Sequence, residues 1–146
     1  MGKKLSEAVA VVACIDPDAY TTGAQTSDWI DMADFERVMF IVQAGTLGSS
    51  ATLNFKVQQS AAANGANPAD ITGKEITELT EAGTDSDKQA IVEVAAAELT
   101  DGYRYIAGVM TVGTATSDAG VIAIAANPNY GPASDYDLAD LAEIVA

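Results

Sequence analysis

The sequence predicts an all-β fold, an antiparallel β-sandwich or jelly-roll-like single domain with extended terminal arms. Three observations carry this. Short apolar or alternating segments recur through the middle of the chain, at the period of strands and not of helices. Turn dipeptides punctuate them, above all Asn64-Gly65, Asn67-Pro68 and Asn127-Pro128. A length of 146 residues with 49% hydrophobic content fits one domain with one real core.

The elements follow in order. Ser6 to Ala13 has room for one or two helical turns, and Asp16 to Gln25 carries the Pro, Gly and Thr content of an arm. Ser27 to Met32, with Trp29 and Ile30 between aspartates, is the expected opening strand. Arg37 to Ala44 is the clearest strand: Val38 to Val42 is continuously apolar, the pattern of burial on both faces or nearly so. Ala51 to Gln59 alternates cleanly, with Leu53, Phe55 and Val57 on one side and Asn54, Lys56 and Gln58 on the other. The short connection Gly45 to Ser50 predicts an antiparallel hairpin between these two strands. Ser60 to Ala69 reads as a loop. Ile71 and then Lys74 to Thr80 form a further segment, with Ile76 and Leu79 inward. Gln89 to Ala95 alternates again and runs into a loop near Leu99 to Gly102, although Glu93 to Leu99 also has the composition of a short helix. Tyr103 to Val112 and Asp118 to Ala126 complete the set. Seven or eight short strands at this spacing make two sheets that bury their facing sides. Asp135 to Val145 has helical spacing at Leu138, Leu141 and Val145. The expected organisation is an N-terminal arm over 1–26, a β-sandwich over 27–133 and an acidic tail over 134–146. Removal of 1–26 is expected to leave a folded sandwich.

Charge excludes whole classes of partner. Seven basic residues stand against 21 acidic ones, a formal net charge of −14 and a pI near 4.1. Binding to nucleic acid takes clustered Lys and Arg that release counterions. Here the basic residues are scattered singly apart from Lys3-Lys4, and none follows Arg104. Direct contact with DNA or RNA is not expected. Lys3 and Lys4 before Ala8 to Cys14 imitate a secretory signal, but Ser6 and Glu7 interrupt it and the apolar run is too short for a membrane. The expectation is a soluble protein made in a cytoplasm. The single cysteine, Cys14, lies in an apolar stretch and is expected to be a small buried hydrophobe.

Few residues in the chain offer chemistry. The absence of histidine excludes Ser-His-Asp and Cys-His catalysis and most zinc sites. Asp16-Pro-Asp18 and Asp28, Asp31, Asp34 and Glu36 offer oxygen ligands for calcium but lack the spacing and glycine of an EF-hand loop, and read as solvated turn acids. The acids Asp135, Asp137, Asp140 and Glu143 read alike, or as groups that meet basic residues of a partner. Gly45, Gly48, Gly108 and Gly113 lack the setting of a phosphate-cradling loop. Trp29, Tyr103, Tyr105 and Tyr130 suit packing better than a stacking platform. No catalytic, cofactor-binding or metal-ligating residue is assigned, no cofactor is expected, and the chain is not expected to be an enzyme.

Several segments together resemble the capsid decoration (cement, head-stabilising) proteins of tailed bacteriophages. They are Ser27 to Met32, Phe35 to Val42, Phe55 to Ser60, Asp70 to Lys74, Gly102 to Ile106, Val112 to Ala115 and Asn127 to Ala133. The resemblance implies a β-sandwich that binds the outer surface of an assembled capsid and clamps neighbouring major capsid subunits against internal pressure. It implies a homo-oligomer, with a trimer favoured, and a place on the virion exterior after synthesis in the bacterial host cytoplasm. It transfers no residue role. Physical reasoning points the same way, because many identical weak contacts on a shell multiply modest affinities. The competing expectations are another structural virion component (a tail, neck or fibre β-sandwich), then a carbohydrate- or ligand-binding β-sandwich module, then a hydrolase with paired carboxylates. An exposed Trp29 beside tyrosines would favour the ligand-binding module.

Overall fold

The computed structural model describes residues 4–146. Two antiparallel sheets pack face to face. The first contains β1 (Val9–Tyr20), β10 (Ser117–Pro128), β4 (Phe35–Ala44) and β8 (Gln89–Ala95), in that spatial order. The second runs β2 (Gly23–Thr26), β9 (Tyr105–Gly113), β5 (Thr52–Ser60), β6 (Ala69–Glu75). Two short strands join it: β3 (Ile30–Asp31) pairs with β9, and β7 (Leu79–Thr80) with β5. A single helical turn, α1 (Leu5–Ala8), and 3-10 turns at Ala96–Glu98 and Ala133–Tyr136 complete the described chain. The all-β sandwich is the fold expected from the sequence.

The inward faces supply the core. Val38, Phe40 and Val42 of β4 meet Leu53, Phe55 and Val57 of β5, all essentially inaccessible to water. The rings of Phe40 and Phe55 lie 5.6 Å apart across the sandwich. Gly108 of β9 makes this approach possible: a Cβ there would stand 2.4 Å from Phe55 Cζ and 3.2 Å from Phe40 Cδ1.

The expected hairpin between β4 and β5 does not form, since the two strands belong to opposite sheets. Their connection crosses the end of the sandwich, a gap of about 10 Å between sheets. Leu47 explains why. It is buried, and Leu47 N and Gly48 N donate to Ser86 Oγ and Ser117 Oγ, so the loop plugs the end instead of turning back. β4 pairs instead with β10 and β8, while β5 pairs with β9.

The N-terminal arm needs correction. Of the expected 1–26 arm, residues 1–3 lie outside the described residues, and the rest is built into the sandwich. Helix covers only Leu5–Ala8 instead of Ser6 to Ala13, because the β-branched run that follows pairs with β10 from Val9↔Ala126 onward. Ala10, Val12, Ala13 and Ile15 are core residues. A register shift between Val11 and Ala13 turns both Val12 and Ala13 inward, the effect of a β-bulge. The sandwich therefore begins at Val9, not at 27.

The acidic tail is also placed differently. The expected helix over Asp135 to Val145 is reduced to the 3-10 turn, held by Tyr136 edge-on to Phe35 at 5.0 Å. Beyond it the backbone is claimed by β1: Leu138 N donates to Val11 O at 2.8 Å, and Val11 N donates to Asp137 Oδ1 at 2.7 Å. A short helix is marginal in water without tertiary support, and this chain offers an edge strand instead.

Candidate interaction surface

The outer face of the four-stranded sheet is the most unusual surface of the molecule. An antiparallel sheet with one wet side normally alternates apolar and polar residues. Here the register aligns Cys14, Ile122, Ile41 and Ile91 in one outward row across all four strands. Ile91 is 60% exposed and Ile122 38% exposed. The next row contains Val11, Ile124, Met39 and Glu93. A depression of about 210 Å³ opens between Cys14, Pro17, Ile41 and Ile122. It continues into a cleft of about 570 Å³ at the end of the sheet, bordered by Asp18, Asp87, Asp118, Gln43 and Gln89.

Acids rim this apolar face. Cys14 Sγ donates to Asp16 Oδ1 at 3.4 Å, and Cys14 N donates to Asp28 Oδ2 at 3.2 Å. Desolvation by burial pushes the thiol up to about 11, helped by the hydrogen bond to Asp16 and by the charges of Asp16, Asp28 and Asp140. On the far side Glu93 accepts from Arg37 at 3.2 Å. Cys14 is thus partly exposed on the outer face and not in the core as expected, because the bulge at Val12 shifts the alternation by one residue.

The edges of this sheet are blunted. On β1 the amides of Val11 and Cys14 are taken by Asp137 and Asp28. On β8, Lys74 Nζ donates to Glu93 O and Ala95 N to Glu98 Oε2, both at 2.8 Å. Occupied edge groups discourage strand addition by another chain. The sticky feature is the face.

The sequence-derived candidates scatter. Asp31 is gripped by Arg104, whose Nε and Nη2 donate to its two oxygens at 2.7 and 2.5 Å, and this holds its carboxyl below the usual range. Asp28 serves Cys14, and Glu36 accepts from Asn127 Nδ2. Desolvation and the charge of Asp31 push Asp34 up. Among the described residues no group of three or more Cys, Asp or Glu is arranged to hold a metal ion. Asp135, Asp137, Asp140 and Glu143 follow the tail. Trp29 is half-buried, its indole seated against Gly65, where a Cβ would fall 2.1 Å from the ring. Tyr130 is 72% exposed, whereas Tyr136 packs on Phe35. Among the described residues no helix is long and apolar enough to cross a membrane.

Sequence reasoning missed the apolar face. Its signal was present in the continuous apolar run of β4, read as burial on both faces or nearly so, and in the apolar run of β10, in a described chain with almost no helix to cover the second side. No family model matches the chain, and no curated protein matches it.

Proposed function

We propose that the chain is a structural module that docks the outer face of its four-stranded sheet on an assembled protein shell, the exterior of a phage capsid, and stabilises it. The carrying observation is the uncovered apolar row Cys14, Ile122, Ile41 and Ile91 within an acidic rim. A complementary partner surface is apolar at its centre and flanked by Lys and Arg, as one or two neighbouring major capsid subunits would present. A second copy of this chain is a poor occupant, because each copy has a net charge of −14. Trimerisation would accordingly use another surface.

Size favours a repeated partner over a solitary one. Three strand spacings of ~4.8 Å by six residues of ~3.4 Å give an area on the order of 300 Å². A stable pair of proteins buries about 800 Å² on each partner. A face this small holds weakly alone and gains from many identical engagements on a lattice. The reading assigns no catalytic step. The half-covered indole of Trp29 weighs against the ligand-binding module.

Co-sedimentation with empty, expanded capsids of the parent phage tests the proposal. Binding is expected to saturate at an icosahedral multiple of copies and to raise the shell's resistance to heat. Ile91→Asp, at a 60% exposed position, is expected to weaken binding at least tenfold (~1.4 kcal/mol) without lowering the protein's own Tm appreciably. Recovery with tails or necks in place of shells would move the protein to another part of the virion, and unchanged binding by Ile91→Asp would remove this face from the interface.

A further inference from the structure

We propose that the C-terminal segment Asp137–Ala146 is a displaceable strap over one end of the apolar face; as a device of the docking surface, it rests on the function proposed above. The segment covers the end of the face formed by Val9, Val11 and Ile124, next to the uncovered row. Leu141 and Ile144 line this end, and a solvent-open groove of about 200 Å³ remains between strap and sheet. The strap thus borders a groove that its side chains do not fill.

Among the described residues its attachments are few and local. One backbone bond (Leu138 N to Val11 O) and one side-chain bond (Val11 N to Asp137 Oδ1) tie it to β1. Lys4 Nζ reaches the Ala146 carbonyl at 3.4 Å at an exposed position. Past Tyr136 the described chain has no helix or strand, and Ile144 and Val145 are exposed. The 3-10 turn before it is firmly held, with Ala133 fully buried and Tyr136 on Phe35. The hinge therefore falls at Asp137, and the strap can lift while the sandwich stays closed. Lifting adds Val9, Val11 and Ile124 to the row of Cys14, Ile122, Ile41 and Ile91, and moves Asp140 and Glu143 away from the face. The acids stay tethered beside the exposed surface, where they meet the basic flank of a partner.

Hydrogen exchange on the full chain tests this first. The amides of Val11 and Leu138 are expected to exchange at least a hundredfold faster than those of Val42 and Ala123 in the core strands. Equal protection would overturn the proposal. A variant ending at Tyr136, and the full-length double variant Asp137→Ala with Leu138→Pro, are each expected to keep a cooperative melt and to at least double the fluorescence of a bound hydrophobic dye. The double variant removes both ties to Val11, so it stands in should the truncation fail to fold. Folded variants with unchanged dye emission would sink the strap. With shells added, the released variants should bind more tightly than the full chain. Loss of binding on release would make the tail part of the contact and overturn displacement. If no form binds shells while exchange and dye behave as stated, the strap stands and the shell reading falls.

Discussion

Cys14 shows how far a single side chain can depart from its local pattern. In sequence it is one apolar residue among several, yet the bulge at Val12 turns it outward beside Asp16 and Asp28. With its thiol pushed up to about 11, it remains protonated at ordinary pH. Alkylation by iodoacetamide at mild alkaline pH, followed by mass spectrometry, should run roughly 10- to 100-fold slower than for a free cysteine; a free-thiol rate would contradict this. Asp31 illustrates the opposite shift. Because Arg104 holds its folded pKa below the unfolded value, the pair contributes stability above the ordinary carboxylate range and loses it as pH falls through the folded value. Asp31→Asn should therefore melt a few degrees below the parent at neutral pH, and the gap should close in strong acid. A gap that persists there would point to packing instead of charge.

At the scale of elements, the decisive fact is that β1 and β2 are strands of the sandwich and not an arm. Deleting residues 1–26 removes one of the two partners of β10 and four core side chains, Ala10, Val12, Ala13 and Ile15. Such a truncation is expected to lose the cooperative melt and near-ultraviolet dichroism, and a folded product would show that β1 is dispensable. Gly108 tests the packing between sheets. Gly108→Ala forces a methyl group against Phe55 and Phe40, and overpacking of this kind costs about 1–3 kcal/mol. Urea denaturation should show a lower midpoint with little change in slope. Alternation predicted β5 and β8 well because each has a wet or edge-facing side, whereas partner choice was illegible. Gly45 to Ser50 has the composition of a hairpin turn, and only buried Leu47 and its bonds to Ser86 and Ser117 carry the chain to the opposite sheet.

For the whole molecule, charge is the dominant unbalanced term. Five ion pairs among the described residues leave most of the 21 acids without a cationic partner, and these repel one another across a small surface. Screening should relieve this: raising salt to about 0.5 M shortens the Debye length to under half its low-salt value and should raise Tm by several degrees. A flat or falling response would mean that the ion pairs, which salt also weakens, outweigh the general repulsion. The same charge governs association. On the proposed reading it disfavours self-association through the apolar face and favours a partner of opposite sign there.

Composition and local pattern by themselves determined the β class, the single core, the acidic character and most strand positions. Each of these depends on residues near in sequence: alternation selects strands, Gly, Asn and Pro mark turns, and net charge is a sum. Tertiary structure alone decided strand partners, the fate of both termini and the location of the candidate site. Pairing β1 with β10 joins residues about 100 positions apart, and a one-residue bulge redirects the side chains that follow it until the second register shift after Ile15. The apolar face exists because Cys14, Ile41, Ile91 and Ile122, far apart in the chain, come into one row by register, a relation between strands that no local window contains.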